Sequence, residues 1–461
     1  MRMFKKRHTK FILTCVGLMG AMVGGCPADA FDFNAMCAHL GGGGFRPRVA
    51  TPSTLNAILS RAEAGAVISL SGGAYGHVTL SRANSGVVTI EGAPGQKSVL
   101  SSLKIRGGPW IVRGLKVVGL SSQIQDGAAP LWGAWPSHDS LVKIDNANNV
   151  LFDGNIVASA DGEFPWREET KGVADPAGPA TGVHAGNSTC VTISNNSIYN
   201  VFNGISVEGN QVGNNGKYFQ ILNNKIDNFA GDGIDHSISY ATIKGNIIEN
   251  NHDICKSQCV HSDGIQGWNY NNQMGIVNYD VTIDGNTIIV YTKNIHLMPS
   301  SDLQGITIFD GFWRGVNVLN NVVVSNTWHG ITLMGVDGAH IINNTIVSVG
   351  YKKTTWLNVG GKSHQGSFSK HVLVRNNITP YMYIEKTALP AEDLKLDHNI
   401  VGYDPKKLFV EFDPSLGRYD LHLRPGAPVF GLGDPDLAPP RDRDGVARVA
   451  PIDLGAYQRA H

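Results

Sequence analysis

Nine phrases in this chain end on the same turn. NVLFDGNI, CVTISNNSI, YFQILNNKI, YATIKGNII, DVTIDGNTI, GVNVLNNVV, AHIINNTI, HVLVRNNI and DLKLDHNI align on Asn155, Asn196, Asn224, Asn246, Asn286, Asn321, Asn344, Asn377 and Asn399. Three residues before each asparagine stands an apolar residue, from Phe152 and Ile193 to Val374 and Leu396, and five before usually stands another. Apolar residues two apart mean strand. Successive asparagines are 41, 28, 22, 40, 35, 23, 33 and 22 residues apart. A minimum near 22 with longer variants means one coil plus optional loops. Asparagine tolerates the left-handed backbone of a sharp turn, and its amide can bond to the amide one coil away. The expected fold is therefore all-β, a right-handed parallel β-helix running from about residue 65 to 402, with the nine asparagines in one stacked column. Propellers and sandwiches need antiparallel hairpins, whose two-residue turns are not regularly present.

A second register runs beside the first: Gly182-Val183, Gly204-Ile205, Gly233-Ile234, Gly264-Ile265, Gly305-Ile306 and Gly330-Ile331. The residues before these glycines are Thr181, Asn203, Asp232, Asp263, Gln304 and His329. Those after the apolar residues are His184, Ser206, Asp235, Gln266, Thr307 and Thr332. Both columns are wholly polar, which predicts a solvated sheet face. Charged residues are only 16% of the chain, yet Asp232, Asp235, His236, His261 and Asp263 fall within two versions of one phrase. They are expected to form one surface cluster with Gln266.

The ends differ from the repeat. Arg2, Lys5, Lys6, Arg7 and Lys10 precede an apolar run and the small-x-small triplet Ala28-Asp29-Ala30. This pattern predicts a secretory signal peptide over 1–30, and so a periplasmic or secreted protein. Cys26 offers a lipoprotein alternative. Thr54 to Ala64 has helical spacing and would cap the open end of the solenoid, whose domain is expected to run over 31–402. Residues 403–461 form a separate Pro- and Gly-rich segment packed on or capping it. A formal net charge of zero gives no electrostatic case for nucleic acid. No later stretch is long and apolar enough to span a membrane, and a monomer is expected. In an exported chain Cys255 and Cys259 could staple the loop before His261, or remain free thiols.

With the asparagine column, the Gly-Ile column, the opening phrase TPSTLNAILSRAEAGAVISLSGGAYG and the closing IDLGAY, residues 51 to 458 resemble the pectate-lyase-like β-helix superfamily. The opening phrase looks like that of alginate lyases and chondroitinase B. The resemblance implies a long acidic or neutral polysaccharide lying along the sheet face. Two departures matter. Those lyases use a Lys base and an Arg on the binding face, whereas neither polar column here holds a lysine; Lys256 and Arg314 are only near. Polygalacturonases carry Asn-Thr-Asp-Gly, a paired Asp and Gly-His-Gly; Asp232, Asp263 and His329 imitate the order without the pair.

Three functions compete. A lyase cleaving a uronate-containing polysaccharide by β-elimination would take His261 or His236 as base, with Arg314 near the substrate carboxylate. Asp232, Asp235, Asp263 and Glu208 would be candidate oxygen ligands for Ca2+; no organic cofactor is implied. A glycoside hydrolase would use Asp263 and Asp235 as its carboxylate pair. A binding β-helix without chemistry is the third, and a C5-epimerase is a variant of the first. The lyase is the leading expectation. Gln266, Trp268, Trp313, Trp166, Arg167 and His329 are expected to contact substrate, the tryptophans by stacking on sugar rings.

Overall fold

The computed structural model describes residues 47–119, 140–162, 179–209, 217–252, 261–268, 277–292, 301–350, 353–364, 366–385 and 389–459. From Arg48–Ala50 to Ile400–Val401 every paired strand is parallel to its neighbours and belongs to one continuous sheet wound about an axis. The fold is a right-handed parallel β-helix. Each full coil has three strands. The first carries the Gly-Ile register (Thr181–Gly186, Ile205–Glu208, Ile234–Ser237, Ser262–Gly267, Leu303–Ile308, His329–Leu333, Trp356–Val359, Tyr381–Ile384). The second leads into the asparagine turn, as in Ser239–Lys244, and the third leaves it, as in Ile247–Asn251.

The nine asparagines form the expected column. Each amide nitrogen donates to the carbonyl oxygen of the next asparagine side chain, from Asn155 to Asn196 at 3.1 Å through to Asn377 to Asn399 at 2.9 Å. It donates also to a backbone carbonyl, as Asn246 does to Ile221 at 2.9 Å. The backbone N–H of each joins the same oxygen, as Asn246 does to Asn286 at 3.0 Å. One expectation needs correcting. The left-handed residue is the one before each ladder asparagine: Gly154, Asn195, Asn223, Gly245, Gly285, Asn320, Asn343, Asn376 and His398 all have φ between 51° and 67°. The ladder asparagine instead serves the buried corner, where backbone groups that no strand can pair need side-chain partners.

Aliphatic residues fill the interior coil by coil, with Ile205, Ile234, Ile265, Ile306 and Ile331 in register on one wall. The glycine column exists because the wall bends there. A Cβ on Gly233 would lie 2.4 Å from an Ile248 methyl and 2.6 Å from the Gly264 carbonyl. The capping helix is shorter than its spacing suggests, Leu55–Leu59, because the chain turns through Gly65 (φ 81°) into strand Val67–Leu70; Leu55 still closes the core. Among the described residues no helix is long and apolar enough to cross a membrane. The leader expected over 1–30 and the expected Cys255–Cys259 staple fall outside the described residues. Cys190 is disulfide-bonded, and every other cysteine falls outside them.

Candidate active site

The Gly-Ile sheet presents its outward side chains in two columns, fixed by strand register. Strand alternation points Ile234 inward and Asp235 outward. Asp235 is in register with Ser206 on one side and Gln266 on the other. Asp263 is in register with Gln304.

Three aspartates face outward yet are almost covered, Asp232 at 6%, Asp235 at 8% and Asp263 at 0% exposure. They are tied into the wall. Asp232 Oδ1 accepts the backbone N–H of Asp263 at 2.8 Å. Asp263 Oδ1 accepts the Thr307 hydroxyl at 2.7 Å, and Ser206 donates to Asp235 Oδ2 at 3.2 Å. Asp235 Oδ1 is buried without a hydrogen-bond partner. Burial raises the pKa of all three. Asp232 is held well above the carboxylate range by burial and then by the charges of Asp263 and Asp235. Asp235 is pushed up to about 7, by burial and then by Glu208, against the Ser206 hydroxyl and the Trp268 indole. Asp263 is raised by burial but held down by His261 and Thr307.

His261 lies over Asp263, its Nδ1 at 3.4 Å from Asp263 Oδ2, with about two thirds of its side chain exposed. The hydrogen bond to Asp263, made through Nδ1, raises its pKa. His329 is the opposite case. Burial pushes it down to about 4, so its ring stays neutral. The Trp356 indole N–H donates to His329 Nδ1 at 3.3 Å, which puts the ring proton on Nε2.

Several expected site residues lie elsewhere. His236 points into the interior: it aligns with Val207, is fully buried, and packs edge-on against Trp313 at 5.4 Å. Both its ring nitrogens lack hydrogen-bond partners, and burial lowers its pKa to about 4. Strand alternation gives it that direction, since it follows outward Asp235. Trp313 is likewise a core residue, its indole donating to the Asp310 carbonyl at 2.8 Å. Arg314 stands on the second strand of its coil, which leads into the asparagine turn, next to Asp337 at 3.5 Å. The expected cluster therefore keeps Asp232, Asp235, His261, Asp263 and Gln266 and loses His236, but its aspartates are covered, as are Thr181, Ser206, Thr307 and Thr332 along the same face, where a solvated surface was expected. Trp268 stays beside Asp235, and Trp166 and Arg167 lie outside the described residues. Glu208 is close enough for its charge to act on Asp235.

The four carboxylates proposed for Ca2+ do not converge. Asp232, Asp235 and Asp263 each have an oxygen committed to a protein donor, and among the described residues the one set of converging ligand atoms is Asp397, His398 and Asp434. That set is already neutralised by Arg375.

The family model described as a right handed beta helix region matches residues 177–346. No curated protein matches. Among solved structures, the chain is similar to pectate lyase Pel9A (14% identity over 91% of this chain and 98% of that one, TM-score 0.40). It is similar also to an alginate lyase from Paenibacillus sp. str. FPU-7 (17%, 76% and 99%, 0.41) and to the catalytic domain of an α-1,3-glucanase (13%, 72% and 64%, 0.35).

Two groups escaped the sequence reading. The outward column of Asp235 continues toward the N-terminus through Ser206 and His184 to Lys143 and Lys104. The face thus does carry lysines. Toward the C-terminus it meets a stack of Trp328, Trp356 and Tyr383, with ring centroids 6.1 and 5.7 Å apart. Extending the register by two coils each way would have found both.

Proposed function

We propose that the protein cleaves glycosidic bonds in a polysaccharide laid along this face, by general acid–base catalysis between Asp235 and the His261–Asp263 pair. The observation that carries this is the poise of the two groups. Asp235 titrates at about 7, and His261 is raised from its usual 6.5 by the carboxylate beneath it. Two groups able to exchange protons on one polar face, His261 seated 3.4 Å from Asp263 one coil step from the strand of Asp235, suit acid–base work. Asp263 is fully covered and acts through His261, as a positioning residue. Asp232 accepts the Asp263 backbone N–H and holds that strand in place.

Hydrolysis accounts for the centre better than elimination. An elimination must neutralise a uronate carboxylate beside the scissile bond. Among the described residues no lysine or arginine stands in either outward column between Thr181 and Thr332, and Arg314 belongs to the second strand of its coil. In this reading His261 takes the proton of the attacking water, and protonated Asp235 gives its proton to the leaving oxygen. β-Elimination is the second reading, favoured by Lys143 and Lys104 in the same column.

The test is a screen of acidic and neutral polysaccharides, reading reducing ends and ultraviolet absorbance together. New reducing ends without absorbance are expected. An absorbing unsaturated product would install elimination, and no product from any polymer would leave a binding protein. The leader expected over 1–30 supports export to where such polymers are found; N-terminal sequencing of the secreted chain should begin at Phe31.

A further inference from the structure

The outward column containing Asp235 is electrically lopsided. Read along the coils it runs Lys104, Lys143, His184, Ser206, Asp235, Gln266, Thr307, Thr332, Asn358 and Tyr383, each in register with the next. The N-terminal half ends in two cations. Neither Lys104 nor Lys143 has a carboxylate within 4.0 Å among the described residues. Lys143 lines a cavity of about 210 Å³ together with His184, Asp145 and Glu208, and Asp145 is itself engaged by Arg106 at 3.0 Å. Lys143 lies three coil steps from Asp235, about 14 Å at the spacing of parallel strands.

The C-terminal half is neutral and partly apolar. Gln304 Oε1 and Asn358 Oδ1 are buried acceptors without partners. These covered acceptors bring no positive charge to this half. Beyond them come the exposed rings of Trp328 and Tyr383 at either end of the aromatic stack. Lys353, a cation of this half, is engaged by Asp302 at 2.9 Å and lies over Trp328. A homopolymer of acidic sugars would put carboxylates over the unpartnered acceptors. A neutral polymer would leave Lys104 and Lys143 without use.

Resting on the reading of this face as a polysaccharide-cleaving groove, we propose that the substrate is a heteropolysaccharide mixing acidic and neutral sugars. An acid group binds at Lys143, with Lys104 beyond it, on the N-terminal side of Asp235. A neutral sugar lies over Gln304, Asn358 and the aromatic stack on the other. The face then fixes the direction of the bound chain, because only one orientation matches charge to charge.

The experiment is affinity electrophoresis of the full chain through gels containing hyaluronan, chondroitin or gellan as alternating polymers, polygalacturonate as the acidic homopolymer, and dextran as the neutral one. Retardation should be strongest with at least one alternating polymer and should weaken with salt. Lys143→Gln should weaken that binding roughly tenfold, the size of one charge-assisted hydrogen bond, while Lys143→Arg restores most of it. Trp356→Ala should weaken it without changing the salt dependence. Equal or stronger retardation by polygalacturonate or dextran overturns the proposal, as does Lys143→Gln binding like the parent. Release of reducing ends from a homopolymer alone would overturn it while leaving acid–base cleavage standing. Neither binding nor cleavage of any of the five would remove both.

Discussion

The asparagine column and the aspartate face use the same coil and reach opposite ends. Both place a short polar side chain at one register position of successive coils, and in both a side-chain oxygen accepts a backbone N–H from an adjacent coil. Asn224 takes its bond from the Asn196 backbone N–H at 3.0 Å, and Asp232 takes its own from Asp263 at 2.8 Å. The amides complete the pattern. Each has donors and an acceptor, so every buried group finds a partner, and a satisfied buried network rigidifies. The carboxylates cannot do this. They only accept when ionised, they repel one another, and Asp235 keeps an oxygen with no partner. A fold with a neutral solution at hand carries costly charge at one place along its length, which is the ground for proposing a site there.

The comparison can be broken at four points. The largest effect is expected in the ladder. Asn246→Ala removes the bonds to Ile221 and Asn286 and orphans the Asn224 N–H. It should cost on the order of 4 kcal/mol, read as a lower denaturant midpoint with little change in residual activity per folded molecule.

Next is acid sensitivity from His236. The unfolded chain protonates this residue as pH falls through about 6.5, but the folded one not until about 4. Its neutral form is the native one, so stability is lost as pH falls through that window, by about 3 kcal/mol. His236→Phe should flatten that part of the stability–pH curve. His252 and His329 are lowered in the same direction, so the curve should flatten rather than vanish; an unchanged curve would contradict the buried neutral ring.

The third is His261→Ala, which should reduce turnover by a factor on the order of a hundred or more. The ring is largely exposed, so melting temperature should hardly move. Full activity would displace the base from His261. The smallest is Asp235→Asn. Its raised pKa means that Asp235 weakens the fold as pH rises from about 4 past about 7. The amide should therefore raise the melting temperature by a few degrees at pH 8 and by nothing at pH 4, while activity is lost. A ladder asparagine and a face aspartate would then move stability in opposite directions.

Much of the fold was legible because a repeat writes its register in plain spacing. The position of Asn246 on a column needs only the distance to Asn224 and Asn286. The site was legible in part. Asp232, Asp235 and Asp263 stand out as charges in a polar column. Their burial does not, since covering depends on neighbours such as Thr307 and His261 that come from other coils. His236 was misjudged by weighing its chemistry above its place in the strand. Arg314 looked close because loops between strands hide which strand of the coil a residue joins. Lys143 was missed because its coil, in strand Ser140–Asp153, has no glycine before Val142 and so falls outside the phrase that identified the others.

The last coils carry a consequence for how molecules of this protein meet one another. A stack of parallel strands has no natural final member: strands Leu394–Asp397 and Ile400–Val401 would offer their unpaired edge to any further strand, including one from another copy. The chain then changes grammar. Strands Phe409–Asp413 and Arg418–Leu423 pair antiparallel in a sheet of their own, and Leu408, Phe409 and Leu421 enter the common core. Asn343 and Asn376, the left-handed turn residues, hold the following segment through the Asp453 and Asp434 carbonyls. A hairpin that joins the common core directly after the last coil works against end-to-end stacking of copies, however regular the interior.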